Sequence, residues 1–337
     1  MEAYLYEHLK DKKVKCNLCN HRCVINDDKR GKCNVRENQG GTLKTLVYGK
    51  LIAQHIDPIE KKPLFHLMPG SLSYSIATVG CNFRCLFCQN ADIAQMPTEH
   101  NGMIIGDLYT PEDVVGSAVK GNCKSIAYTY TEPTVYFEFA HDTAKLAHEK
   151  GIQNVFVTNG YMTSEALNMI NPYLDAANVD LKAFNDDFYK EYCGARLVHV
   201  KETLKLMKSL GIFVEVTTLL IPGLNDDKKG LEKLALFLAE SLGPETPWHI
   251  SRFHPTHKLT DRPPTPVQTL IMAREIGINT GLKYVYTGNV PGENGENTFC
   301  YNCGETLIDR WGFSIKKNFI ENGKCMHCGA KIHGVGL

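Results

Sequence analysis

The sequence predicts an α/β fold, a partial (β/α)6, TIM-like barrel with a small cysteine-rich, metal-binding module at each end. Between about residues 72 and 289, apolar β-branched runs alternate with amphipathic segments, and repeated βα units imply a mostly parallel sheet with helical crossovers. Cysteines cluster before and after this region, and apolar residues make up 43% of the 337 residues. We therefore predict three parts, at residues 1–55, 56–290 and 291–337.

Seven short runs of apolar or β-branched residues predict the strands of the central part. They are LSYSIA (72–77), SIAYTY (125–130), NVFVTN (154–159), NVDLKA (178–183), FVEVTTLLI (213–221), WHISRF (248–253) and YVYTGN (284–289). Amphipathic helices are expected between them, several ending at glycine. The segment TGNVPGENGEN (287–297) is rich in Gly, Asn and Pro and predicts a linker into the C-terminal part.

The composition argues against nucleic-acid and membrane partners. Lys plus Arg equals Asp plus Glu at 37 each, so no net field attracts a polyanion. No window approaches the roughly 20 apolar residues that span a bilayer, and MEAYLYEHLK (1–10) lacks the apolar region of a secretory signal. We expect a cytoplasmic protein. For its 13 cysteines, a reducing compartment argues against a disulfide framework and toward metal binding.

The C-terminal cysteines have the spacing of a structural metal site. Two Cys-x-x-Cys pairs stand about twenty residues apart. A glycine follows each pair, Gly304 or Gly329, and allows a tight turn behind the sulfurs. The four residues are Cys300, Cys303, Cys325 and Cys328. Zinc is the favoured metal, with an auxiliary iron–sulfur cluster or unligated thiols as the alternatives.

The N-terminal cysteines leave the metal open. The group consists of Cys16, Cys19, Cys23 and Cys33. Its four thiolates could close a zinc knuckle, three of them could do so with His21, or the group could hold a second cluster. We favour zinc slightly. The two isolated cysteines, Cys123 and Cys193, are expected to be small core residues.

The third group, in GCNFRCLFCQN (80–90), has only three cysteines, namely Cys81, Cys85 and Cys88. A closed zinc or iron–sulfur site usually takes four protein ligands. A cubane cluster held by three cysteines leaves its fourth iron open to a non-protein ligand. We therefore predict a 4Fe-4S cluster here, with zinc plus one outside ligand as the alternative.

Polar side chains stand at or near the ends of six consecutive predicted strands. Active sites of α/β barrels gather at the carboxyl ends of the strands, so these side chains are predicted to meet there. Asp180 and Lys182 are placed two residues apart on the fourth strand, facing the same way. Besides the cysteine triplet, the group is Glu132, Thr158, Asn159, Asp180, Lys182, Thr217, Arg252 and His254.

The triplet CNFRCLFC resembles the radical S-adenosylmethionine (SAM) signature, which has an aromatic residue, here Phe87, before its last cysteine. The resemblance implies a radical SAM barrel in which SAM binds the open iron through its amino and carboxylate groups. It also implies reductive cleavage of SAM to methionine and a 5′-deoxyadenosyl radical, which takes hydrogen from a substrate. A reductant such as ferredoxin or flavodoxin is implied as well.

The resemblance extends over about residues 70–290 to the activating enzymes of glycyl-radical proteins, such as that of pyruvate formate-lyase. It implies that Glu132 contacts the SAM amino group, that Thr158 and Asn159 lie near the methionyl end, and that Lys182, in the Asp180–Lys182 segment, contacts the SAM carboxylate. Phe87 is implied beside the adenine, and Phe253 with His254 near the nucleoside. Tyr130 and Thr131 stand where that family has two glycines.

Over its full length, the chain most resembles the radical SAM component of the AmmeMemoRadiSam system. The features that carry this resemblance are CNLCNHRC with Cys33, DPIEKKPLFHLMPGS (57–71), TYTEPT, RFHP and TGNVPGENGENTFCYNCG. The resemblance implies an AMMECR1-like and a Memo-like protein as partners. It does not identify the substrate.

Three hypotheses for function follow. The first is a radical SAM enzyme acting on an unidentified substrate, with a residue on a partner protein as one option. The second is a glycyl-radical-enzyme activase. The third, from another class, is a non-enzymatic multi-zinc scaffold or metal-handling protein, which has no need of the aligned Glu132, Asn159 and Lys182.

Overall fold

The computed structural model describes residues 1–290 and 294–337. Residues 291–293, inside the predicted linker at 287–297 and at the start of the predicted C-terminal part, lie outside the described residues. All thirteen cysteines are described, and all are free thiols. No helix within the described ranges is long and apolar enough to cross a membrane.

The strands alternate with helices through the middle of the chain and stand without helices near both ends. The strands are β1 (Tyr6–His8), β2 (Val14–Cys16), β3 (Val24–Ile25), β4 (Arg36–Gln39), β5 (Thr42–Thr45), β6 (Lys50–Leu51), β7 (Ala53–Pro58), β8 (Leu72–Ala77), β9 (Asp107–Leu108), β10 (Ser125–Tyr128), β11 (Gln153–Thr158), β12 (Ala176–Asp180), β13 (Phe213–Leu220), β14 (Trp248–Arg252), β15 (Val285–Gly288), β16 (Thr298–Phe299), β17 (Thr306–Trp311), β18 (Ser314–Asn318), β19 (Ile320–Glu321) and β20 (Lys324–Cys325).

The α-helices lie between the strands of the central sheet. They are α1 (Ala91–Ala94), α2 (Met96–Glu99), α3 (Pro111–Lys120), α4 (Phe137–Glu149), α5 (Ser164–Ile170), α6 (Asp186–Phe188), α7 (Leu197–Ser209), α8 (Lys228–Phe237) and α9 (Val267–Asn279). Side-chain caps begin several of them, for example the capping box of Thr110 and Asp113 at α3. Short 3₁₀ turns occur at Ile59–Lys61, Pro133–Tyr136, Asn171–Tyr173 and Asn294–Glu296, and π-helical turns at Tyr189–Cys193 and Leu238–Leu242.

The central sheet has eight strands in the order β15-β14-β13-β12-β11-β10-β8-β7. Seven of them run parallel, and β7 joins the edge antiparallel to β8. Every residue of β10 is buried, as expected for a parallel strand covered on both faces. The predicted α/β fold and all seven predicted strands are confirmed.

Two predicted strand ends are wrong by a few residues. β10 ends at Tyr128, because Tyr130 has a φ of +62°, which no strand accommodates. β12 ends at Asp180, so Lys182 lies just beyond the strand and not on it. The Lys182 backbone N–H is instead held by the Tyr189 hydroxyl at 2.9 Å.

The N-terminal part packs on the carboxyl end of the barrel and shares its hydrophobic core. Val14, Leu18 and Val35 belong to the same buried cluster as the barrel residues. The Thr163 hydroxyl donates to Asn17 O at 2.7 Å, which ties this part to the start of α5. The N-terminal cysteines are therefore held beside the strand ends.

The C-terminal part forms a three-stranded sheet of β16, β17 and β18 and a hairpin of β19 and β20. It is attached to the barrel through buried polar contacts. The Arg310 guanidinium donates to Phe65 O at 2.9 Å, and His66 bridges Tyr286 and the backbone of His333. This part, which we call the C-terminal ribbon, therefore folds back on the barrel.

Candidate active site

One pocket, with a volume of about 450 Å³, opens at the carboxyl ends of the parallel strands. The structure thus brings together ten of the predicted site residues that are far apart in the sequence. They are Cys81, Cys85, Phe87, Cys88, Glu132, Thr158, Asn159, Asp180, Lys182 and Thr217. This is the edge of the sheet at which barrel enzymes hold their ligands.

The loop that carries the cysteine triplet is fixed by backbone hydrogen bonds to the π-helical turn at Tyr189–Cys193. Arg84 N donates to Cys193 O at 2.9 Å, and Leu86 N donates to Tyr192 O at 3.0 Å. The three sulfurs do not converge on one point, since they are not all within 4.8 Å of one another. Sulfurs that bind different corners of a cubane stand farther apart than sulfurs that bind one zinc ion.

The acidity of these thiols also fits a bound cationic group. Burial raises the pKa of Cys81 well above its usual range and that of Cys88 to about 11. The pKa of Cys85 is lowered by a hydrogen bond from Cys193 and by the Lys182 charge. Neighbouring buried thiols are costly to ionise together unless a cation lies among them, and the thiolate is the form that binds iron.

Glu132 is the centre of a buried hydrogen-bond network that joins the ends of β10 and β11. Its Oε1 accepts from the Thr158 hydroxyl at 2.7 Å and from the Thr134 hydroxyl at 2.5 Å, and its Oε2 accepts from Asn159 N at 2.8 Å. Burial raises the Glu132 pKa, although these donors oppose the shift. The carboxylate is therefore held rigidly at the pocket wall.

Tyr130 keeps the backbone conformation that glycine adopts easily. It stands where the resembling family has glycine, and its φ of +62° lies in the left-handed region. The chain thus makes a left-handed turn before Glu132 at some cost in strain. The Tyr130 hydroxyl donates to Asp57 Oδ2 at 2.5 Å, a contact that helps to hold the residue in place.

Asp180 and Lys182 form an ion pair at the pocket wall. Lys182 Nζ donates to Asp180 Oδ2 at 2.9 Å and lies 5.7 Å from the centre of the Phe87 ring. Burial alone would lower the Lys182 pKa, but Asp180 and the nearby thiols of Cys85 and Cys193 raise it well above its usual range. Lys182 is therefore a fixed cation.

Thr217 and His254 occupy different surroundings. The Thr217 hydroxyl donates to Asn178 Oδ1 at 2.9 Å and lines the pocket. His254 is exposed and does not line the pocket, while its neighbour Phe253 is fully buried. The contact of His254 with the nucleoside stays a prediction.

Sequence reasoning missed a lysine at the pocket wall. Lys62 is only 1% exposed, and its Nζ donates to Asp57 Oδ2 at 2.7 Å. Burial lowers the Lys62 pKa to about 8, although Asp57 opposes the shift. The only sequence signal was its place in DPIEKKPLFHLMPGS (57–71), which carried the family resemblance but no residue role.

The C-terminal cysteines form a compact group away from the pocket. Their ligand atoms all lie within 4.8 Å of one another, with Cys300 and Cys328 sulfurs 3.6 Å apart and Cys303 and Cys325 sulfurs 3.8 Å apart. Four sulfurs at about 2.3 Å from one tetrahedral zinc ion stand about 3.8 Å apart. Gly304 and Gly329 make the predicted turns, with φ of +78° and +75°. The group therefore has the size of a zinc site.

The two isolated cysteines, Cys123 and Cys193, are buried in the core as predicted. The N-terminal four line a separate small cavity of about 20 Å³ that borders the triplet loop. Three cysteine groups of different geometry are thus present.

The profile of the Radical SAM superfamily matches residues 75–235, which contain the triplet and strands β10 to β13. The chain therefore carries a radical SAM domain. The match supports an enzyme, and a domain of this family implies a 4Fe-4S cluster, SAM and a reductant.

The chain is also similar to individual proteins along most or part of its length. It is 51% identical to the uncharacterized protein MJ0808 of Methanocaldococcus jannaschii over 98% of each chain, so the two belong to one family. It is 26% identical to the pyruvate formate-lyase-activating enzyme of Clostridium pasteurianum over 46% of this chain and 65% of that protein. The homology to activating enzymes is therefore distant and covers less than half of this chain.

A solved structure confirms the fold. The radical SAM methyltransferase from Sphaerobacter thermophilus is similar with a TM-score of 0.50 and 16% identity, over 65% of this chain and 66% of that chain. At this identity the likeness concerns the radical SAM fold alone.

Proposed function

We propose that the chain holds a 4Fe-4S cluster on Cys81, Cys85 and Cys88 and uses it to cleave SAM reductively. When bound, the cluster and SAM supply a 5′-deoxyadenosyl radical that abstracts hydrogen from the substrate. The observation that carries the proposal is the convergence of the triplet with Glu132, Asn159 and Lys182 on one pocket. An adventitious surface site would not assemble residues from four strand ends.

The residues of the pocket have distinct roles in this proposal. Lys182 supplies a fixed positive charge for the SAM carboxylate, and Asp180 holds its ammonium group in place. The Glu132 carboxylate, aligned by Thr134, Thr158 and Asn159, faces the SAM amino group. Phe87 gives the adenine an apolar wall. Thr217 as a cofactor-binding residue and His254 near the nucleoside belong to the same proposal.

The proposal also includes the metal of the C-terminal cysteines, the partner proteins and the location. We propose zinc at Cys300, Cys303, Cys325 and Cys328, supported by the short distances between their sulfurs. Membership of the AmmeMemoRadiSam system, with AMMECR1-like and Memo-like partners, is supported by the sequence features given above. A cytoplasmic location is part of the proposal, because the three cysteine groups require reduced thiols.

Detection of 5′-deoxyadenosine by mass spectrometry tests the proposed reaction. Anaerobically reconstituted protein, reduced with dithionite and given SAM, should release 5′-deoxyadenosine and methionine. The Cys85→Ala variant should release neither, and Cys123→Ala, which alters a buried cysteine outside all three groups, should behave like the wild type. Equal product from the wild type and Cys85→Ala would refute the proposal.

The second candidate, a glycyl-radical-enzyme activase, is favoured by the homology to pyruvate formate-lyase-activating enzymes. This function predicts a glycyl EPR doublet on a partner protein after turnover. If SAM is turned over in the presence of the AMMECR1-like and Memo-like partners and no such doublet appears, the activase candidate is rejected and the first candidate remains.

A further inference from the structure

The four N-terminal cysteines surround a cavity instead of meeting at one point. Cys16, Cys19, Cys23 and Cys33 all line a small space of about 20 Å³. No three of their sulfurs lie within 4.8 Å of one another, in contrast to the C-terminal four. The spacing therefore exceeds what a single zinc ion needs, which is about 3.8 Å between sulfurs.

Two buried hydrogen-bond donors in the wall of this cavity have no partner among the described residues. They are Nε of Arg36, which is 1% exposed, and Nδ2 of Asn82, which is 2% exposed. A second nitrogen of Arg36, Nη1, donates to Cys16 Sγ at 3.3 Å. Unpaired buried donors are costly, so these groups indicate an occupant that accepts hydrogen bonds, although the charge of Arg36 is already paired with Glu138. The sulfides and thiolates of an iron–sulfur cluster accept such bonds.

His21 is engaged elsewhere and does not complete a zinc site. Its Nε2 lies 2.8 Å from Asn82 O, and its Nδ1 lies 3.4 Å from Lys32 Nζ. With both ring nitrogens in contact with other groups, the alternative of three cysteines and one histidine is disfavoured.

The cavity and the triplet loop are in direct contact. Gly80, next to Cys81, has a φ of +102°, and a Cβ there would lie 3.4 Å from Cys33 O. Asn82 lines the N-terminal cavity, and its Oδ1 accepts from Asn159 Nδ2 at 2.7 Å. The same Asn159 Nδ2 lies 3.8 Å from Cys81 Sγ. One asparagine thus lies in the wall between the two sites.

From this arrangement, we propose that Cys16, Cys19, Cys23 and Cys33 hold a second 4Fe-4S cluster that relays electrons to the cluster of the triplet. The relay rests on the proposed function, whereas the second cluster does not. In the relay, a low-potential donor protein of the ferredoxin or flavodoxin class reduces the N-terminal cluster by one electron. That electron then passes to the triplet cluster. No bond is made or broken and no proton moves.

Metal content tests the second cluster without altering its ligands. Anaerobically reconstituted wild type should hold about eight iron atoms and one zinc per chain, and the Cys81/Cys85/Cys88→Ala variant about four iron atoms and one zinc. Mössbauer spectra should show a 4Fe-4S cluster in that variant. Cys123→Ala should match the wild type. A triplet variant with two zinc ions and no iron would overturn the proposal.

EPR of fully reduced protein tests the contact between the clusters. Two adjacent paramagnetic clusters should broaden or split each other's signals, so the wild-type spectrum should differ from the sum of the single-cluster spectra. A simple sum would contradict the contact. If SAM leaves the wild-type signal unchanged while the triplet variant keeps four irons, the proposed function fails and the second cluster stands.

The rate at which a protein donor reduces the triplet cluster, measured by stopped-flow, tests the relay. In Cys19→Ser/Cys23→Ser protein that retains the SAM-sensitive signal, reduction of the triplet cluster by a reduced 4Fe-4S ferredoxin should be at least about tenfold slower than in the wild type. Dithionite should still reduce it to the same final level. Equal rates with ferredoxin would overturn the relay. If this variant loses both clusters, the EPR comparison above decides.

Discussion

At the residue scale, the pocket depends on charges that are held by their neighbours. Lys182 is kept protonated by Asp180, and Glu132 is aligned by three donors from β11 and the turn before α4. A ligand that carries both an amino and a carboxylate group therefore meets groups of opposite sign that are already oriented. Preorganised charges of this kind cost little to rearrange on binding.

Replacing Lys182 should weaken SAM binding with little effect on the cluster. Lys182→Met removes the fixed cation, and a charged hydrogen bond contributes about 1.5–3 kcal/mol, so the Kd should rise about tenfold or more. Calorimetric titration of reconstituted protein with SAM measures this change. Lys228→Met, at an exposed helix residue, is the matched control. An unchanged Kd for Lys182→Met would exclude the proposed carboxylate contact.

Lys62 should make stability depend on pH. Its pKa is lowered to about 8 in the folded protein from an ordinary value of 10.5. Between these values the unfolded chain binds the proton that the folded chain has released, so rising pH relieves the cost of the buried charge. The Tm of the wild type minus that of Lys62→Met should therefore increase by about 3 °C from pH 7.5 to 9.5.

Calorimetry of both proteins at the two pH values measures this difference. A difference that falls with pH would mean that Asp57 raises the Lys62 pKa above its ordinary value. The residual pairing of Asp57 with Lys61 and Tyr130 keeps the variant from stranding an isolated carboxylate.

At the element scale, the strands were predictable and their ends were not. Buried parallel strands are short apolar runs, and all seven such runs form strands. Their ends depend on contacts that the sequence pattern does not contain. Tyr130 takes a left-handed φ with its hydroxyl on Asp57, 73 residues away, and Lys182 is held by the Tyr189 hydroxyl.

The turn that carries the triplet should tolerate no side chain at Gly80. A Cβ there would lie 2.6 Å from Val35 Cγ1 at a φ of +102°, so Gly80→Ala should cost about 2 kcal/mol or more and lower the iron content. Thermal unfolding and iron analysis measure both effects.

The control is Gly116→Ala in the middle of α3, where a Cβ meets nothing within 4 Å. It should stabilise by about 0.5–1 kcal/mol, because alanine favours the helix. Gly80→Ala with wild-type stability and iron content would show that the triplet loop does not depend on this contact.

At the scale of the whole molecule, the sequence predicted which strand-end residues meet but not what else reaches the pocket. Lys62 comes from a turn before the first parallel strand, and Phe313 comes from the C-terminal ribbon, more than 200 residues after the triplet. Both positions result from packing between parts of the chain. His254, by contrast, lies just after the end of β14, as predicted, but its side chain is exposed to solvent.

The C-terminal ribbon should need zinc to stay folded on the barrel. Its small core, with Leu307, Ile308 and Cys325, packs against Tyr284 and Tyr286 of the barrel. Cys325→Ser should remove one zinc per chain and lower the Tm, because a structural zinc contributes directly to folding. Metal analysis and calorimetry measure this, and full zinc retention would contradict the assignment.

The most direct test of the central claim is EPR of dithionite-reduced protein with and without SAM. The proposed function predicts a cluster signal that changes shape when SAM is added to the wild type. It also predicts that this SAM-sensitive signal is absent from the Cys81/Cys85/Cys88→Ala variant. If SAM alters nothing, or if the triple variant keeps the SAM-sensitive signal, the three cysteines do not hold the cluster that binds SAM.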